Sequence, residues 1–114
     1  MTQKIARLTN RASRSLHNFF EDIYAECDRN LQRWGVQRHP LVASSYAASG
    51  YRLMADNYRR MNDSPTPDSW DLILLEEVFE ALCEEDPAKM REELVQVAAV
   101  AAAMVEQIDE ELGS

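Results

Sequence analysis

The chain has 114 residues, 46% of them apolar, which suits one compact domain with a core of its own. Only three glycines and four prolines punctuate it, so long helices are expected and a loop-rich β fold is excluded. The net charge of −8 speaks against nucleic acid as a partner.

That charge is segregated. Residues 1–62 carry ten Lys/Arg against five Asp/Glu, whereas residues 63–114 carry two against fifteen. An acidic half suits cation binding and a basic half suits phosphate, although both patterns also describe solvated helix faces. Cys27 and Cys83 lie far apart without CxxC spacing and read as reduced thiols. The start of the chain shows no apolar signal region, and Leu94–Val105, interrupted by Gln96, is too short to span a bilayer. A soluble, cytoplasmic protein is the expectation.

A first helix is predicted from near Ala12 to about Arg33, with Leu16, Phe19, Phe20, Ile23, Tyr24, Cys27 and Leu31 as its apolar stripe. Residues 1–11 stand outside this pattern, and a flexible lead-in is expected there. Gly35 and Pro40 end the period. A second helix spans about Val42–Met61, with Tyr46, Ala47, Tyr51, Met54, Ala55 and Tyr58 apolar; Gly50 invites a late start or a kink. Asn62–Asp68 is a loop by composition.

The third helix runs from about Ser69 to Glu84 or Glu85, capped by Asp68 or Ser69, and buries Trp70, Ile73, Leu74, Val78, Ala81 and Leu82. Asp86 as cap and Pro87 as first helical residue open the fourth helix, which continues to about Glu111. Its core stripe is Leu94, Val97, Ala98, Ala101, Val105, Ile108 and Leu112. Its many alanines suit close packing within a bundle or at a subunit interface.

Two acidic pairs fall on the hairpin at residues 69–111. Glu77 and Glu80 share one face of the third helix, and Glu93 and Gln96 share one face of the fourth. Glu80 lies six residues before Asp86 and Glu93 seven after it, so antiparallel helices bring the pairs to the same level. Carboxylates gathered in this way repel one another, and a hard divalent cation resolves the repulsion. With no His or Cys close in sequence, magnesium or manganese is favoured over zinc. A Glu-rich solvated surface is the competing explanation. Glu76 points about 100° away from Glu77 and is not expected to orient a water there.

Glu77-x-x-Glu80, twelve intervening residues and Glu93-x-x-Gln96 resemble the ExxE, spacer, ExxD pattern of the MazG-like nucleoside triphosphate pyrophosphohydrolases. Trp70–Ala81 and Arg91–Val100 are similar to an actinobacterial and phage subgroup, and Arg33–Pro40 resembles its KWGxQxHP segment. The resemblance covers Trp70–Asp109 closely and Asp28–Pro40 more loosely.

It implies an all-α, four-helix MazG-like bundle completed by oligomerisation, with residues 1–114 as a single domain in a homodimer or homotetramer. It implies Mg2+, or Mn2+, held by Glu77, Glu80 and Glu93. Gln96 stands in place of the family's aspartate, as it often does in that subgroup, and either ligates through its carbonyl or binds a water of the metal. The implied activity is cleavage between the α- and β-phosphates of a nucleoside triphosphate, giving monophosphate and pyrophosphate. Arg33, Arg38, Arg52, Arg59 and Arg60 are candidates for phosphate, and Trp34 for stacking on a base. His39 is a further phosphate candidate. The implied origin is bacterial or phage. Two alternatives stay open: a degenerate homologue that binds nucleotide or metal without turnover, and a helical protein-interaction module.

Overall fold

The computed structural model describes residues 2–65 and 68–113, and the side chains among them from Arg14 onward. The protein is all-helical, with α1 (Thr2–Trp34), α2 (Ser45–Asn62), α3 (Trp70–Leu82) and α4 (Pro87–Glu111), and no strand occurs among the described residues. No helix is long and apolar enough to cross a membrane.

α1 begins at Thr2, well before Ala12, so the lead-in is helical. The segment holds no Gly or Pro before Gly35, and Lys4, Arg7 and Arg11 are good helix formers even where no apolar period supports them. Gly35 ends the helix with φ of 70°, and its N–H donates to the Leu31 carbonyl at 2.8 Å.

α2 starts later than Val42, because Ser44 caps it: the Ala47 N–H donates to Ser44 Oγ at 3.0 Å. Gly50 stays within the helix. α3 is shorter than expected and closes at Leu82, with Cys83 as its C-cap. Ser69 occupies the N-cap position of α3 without capping a backbone N–H; its hydroxyl bonds the Asp71 carboxylate instead. α4 keeps its predicted bounds. Asp86 Oδ1 accepts from the Ala88 N–H at 3.1 Å, and Pro87 needs no N–H at the first helical position.

The chain divides into two compact units, Met1–Arg38 with Ala102–Ser114, and His39–Ala101. In the first, Ser15 Oγ donates to Asp109 Oδ2 at 2.7 Å, tying the C-terminal part of α4 to α1. Ser15 faces away from Tyr24, nine residues and half a helical circuit further on. Of the α1 stripe expected as core, Phe19 alone is half-buried: Tyr24 is 77% exposed, and Leu16, Phe20, Ile23, Cys27 and Leu31 are exposed as well.

In the second unit α2 packs against α3. Ala55 and Ala81 are buried, and such small residues allow two helices to approach closely. Tyr51 and Tyr58, two turns apart on α2, flank Phe79 of α3 with ring centroids 5.9 and 5.7 Å away, Tyr58 in a stacked arrangement. The buried residue of α4 is Met90, outside the predicted stripe, whereas Leu94 and Ala98 are exposed. Tyr46, expected on the apolar side of α2, is also exposed.

Candidate functional site

A row of polar side chains on α2 meets the acidic face of α3. Arg52, Arg59 and Asn62 recur at spacings of seven and three, so they share one side of α2. Arg52 Nη2 donates to the Cys83 carbonyl at 3.3 Å, and Arg59 Nη2 donates to Glu80 Oε1 at 2.9 Å. Asn62 Nδ2 donates to Glu76 Oε1 at 2.8 Å and to the Leu72 carbonyl at 3.1 Å. As the numbers rise on α2 they fall on α3, which is the signature of antiparallel helices. The tyrosines and Phe79 hold the two helices together, and this polar row sets their register.

On α3 the carboxylates of Glu76, Glu77 and Glu80 each offer an oxygen within 4.8 Å of the others, and all three residues are half-buried. A cation of magnesium's size holds oxygens at about 2.1 Å, so opposite ligands stand roughly 4.2 Å apart. The 4.8 Å limit is wider than that span, so holding one ion in common would require the side chains to draw inward. Glu93 lies outside this triplet but close enough for its charge to act on Glu77.

The electrostatics agree with a crowded anionic site. Partial burial pushes the Glu77 carboxyl above the ordinary glutamate range, and the charges of Glu80, Glu93 and Glu76 push it further. Burial also raises Glu93, with Glu80, Glu84 and Glu92 adding to it. Arg59 is held more firmly protonated than a free arginine, chiefly by its hydrogen bond to Glu80. Its other terminal nitrogen donates to Asp56 Oδ1 at 3.1 Å on its own helix.

Of the residues singled out in the sequence, Glu77, Glu80, Glu93 and Arg59 are thus brought into one electrostatic neighbourhood. Gln96 follows one turn after Glu93 on α4 and is exposed. Arg60 and His39 are also exposed. Arg33, Trp34 and Arg38 belong to the first unit. There the Arg33 guanidinium lies over the Trp34 ring at 5.7 Å, and Arg38 is exposed in the segment after α1.

Two members of the site are not legible in the sequence. The 100° offset of Glu76 argues against it on spacing alone, yet a glutamate side chain has enough rotatable bonds to turn its carboxylate toward the next residue's face. Composition places Asn62 in a loop, and only the pairing of α2 with α3 shows what it holds. Comparison with known proteins adds no relative: no family model, no curated protein and no solved structure matches the chain.

Proposed function

We propose that this protein is a magnesium-dependent nucleoside triphosphate pyrophosphohydrolase that cleaves between the α- and β-phosphates and leaves a monophosphate and pyrophosphate. The observation that carries this reading is the carboxylate cluster on α3, with three oxygens within 4.8 Å of one another. The sequence resemblance to the MazG-like enzymes supplies the reaction.

Glu77 and Glu80 would hold the ion with Glu93, and the neighbouring Glu76 carboxylate lies where it can join them or orient a water. When bound, magnesium supplies charge neutralisation to phosphate oxygens and acidity to water. Asn62 fixes the Glu76 carboxylate, leaving less of its orientation to chance. Arg59 stands beside the cluster as a guanidinium for phosphate, and phosphoryl transfer depends mostly on such positioning and charge. Gln96 offers a neutral oxygen where the related pattern has a carboxylate, so one negative charge fewer faces the substrate. Homodimers or homotetramers are part of the reading, supported by the exposed aromatic residues of α1.

The test is pyrophosphate release from a panel of ordinary and modified nucleoside triphosphates, with and without magnesium. Magnesium-dependent release that Glu77→Gln abolishes is the expected result. Full activity of that variant would remove the metal site from the mechanism. The exposed apolar side of α1 also favours a second reading, a helical interaction module; a melting temperature unmoved by magnesium and nucleotide together would support it.

A further inference from the structure

We propose that Arg59 is an internal counter-cation of the glutamate cluster: it holds Glu80 in the metal-free protein, yields that carboxylate to a divalent cation, and is thereby released toward phosphate. The proposal rests on the metal-dependent reading above and adds a competition to it. Among the described residues, Arg59 is the cation whose side chain touches the cluster.

Its contacts suit an exchange. The guanidinium is half exposed and bridges two carboxylates, Glu80 on α3 at 2.9 Å and Asp56 on its own helix at 3.1 Å. An ion pair with this exposure is weak, so a doubly charged ion can displace it. Losing Glu80 leaves Arg59 tethered to Asp56, one turn back on α2, and therefore still beside the cluster. A phosphate arriving with the cation would bring the negative charge that Arg59 has just lost. Asn62, the other α2 side chain on the cluster, is neutral and cannot take this part. Arg52 is committed further along, at the Cys83 carbonyl.

The competition has a signature that a merely structural arginine lacks: removing it should tighten metal binding. Protein stripped with chelator would be titrated calorimetrically with Mn2+, as wild type, Arg59→Gln and Arg59→Lys, with circular dichroism confirming equal helicity. The Gln variant is expected to bind Mn2+ about two- to fivefold tighter, the range that an exposed ion pair is worth. The Arg59→Lys variant, which keeps a charge without the fork, should fall between. In excess magnesium, pyrophosphate should bind the Gln variant more weakly than wild type. Mn2+ affinity that is unchanged or weaker in the Gln variant, with wild type binding the ion, overturns the counter-cation role and leaves the metal site standing. No Mn2+ binding by any of the three overturns both.

Discussion

Asn62 donates its amide to the Glu76 carboxylate across 2.8 Å, and so joins the last turn of α2 to the acidic face of α3. The same nitrogen also reaches the Leu72 carbonyl, while Asn62 Oδ1 is buried with no hydrogen-bond partner among the described residues. The residue thus combines one charge-assisted bond with one uncompensated acceptor. Asn62→Leu removes both, and the two effects partly cancel; a loss of about 1 kcal/mol is expected in denaturant unfolding. Asn62→Asp keeps the shape but sets a like charge against Glu76. It should cost more than the Leu variant at neutral pH, and the gap should close in acid.

Glu77 and Glu93 give the metal-free protein a pH dependence of definite sign. Both carboxyls are raised in the folded state, first by burial and then by neighbouring carboxylates. The folded state therefore binds protons that the unfolded state has released. Their stabilising contribution is complete below the ordinary glutamate range and is lost as pH rises through the raised values. Glu77→Gln removes its share of that loss. In chelator, the variant should melt above wild type at neutral pH, and the difference should shrink in acid. Added magnesium should raise the wild-type midpoint and leave the variant behind, since only a native state that binds the ion gains from it.

The sequence exposes local features more readily than partnerships. Asp86 and Pro87 are readable because a cap and the residue after it act on their own backbone, and α4 begins where they place it. Glu77 and Glu80 are equally legible, being one turn apart on a single helix. What Asn62 and Arg59 hold is not, because those contacts exist only once α2 lies antiparallel to α3. The α1 stripe marks the opposite failure. Its spacing announces an apolar face, but periodicity does not say what covers that face, and Phe20 and Tyr24 stay exposed.

The helix caps predict an asymmetry between two serines. Ser44 Oγ accepts the Ala47 N–H at the start of α2, so Ser44→Ala should cost about 1 kcal/mol. Ser69 sits at the corresponding position of α3 with its hydroxyl turned to Asp71. Ser69→Ala should cost visibly less, and it should let the Asp71 carboxyl rise from its lowered value. Thermal melts of the two variants and a carboxyl titration by NMR check both halves.

Phe79 connects the packing of the second unit to its acidic face. It lies between Glu77 and Glu80 in sequence, and its ring rests against Tyr51 and stacks on Tyr58 of α2. Truncation to Ala removes the aromatic contacts and leaves a gap between the helices; for a half-buried ring about 2–3 kcal/mol is expected, below the cost at a fully buried site. The loss should extend to the site. Asn62 orients Glu76 only because α2 and α3 keep their register, and a helix pair slackened by a fraction of an ångström weakens a bond that must cross between them. Phe79→Ala should therefore reduce Mn2+ affinity and stability together, whereas Phe79→Leu, which fills most of the volume, should keep the affinity while giving up part of the stability. Equal Mn2+ affinity in the Ala variant and wild type would show that the carboxylates of α3 hold their arrangement without α2 behind them.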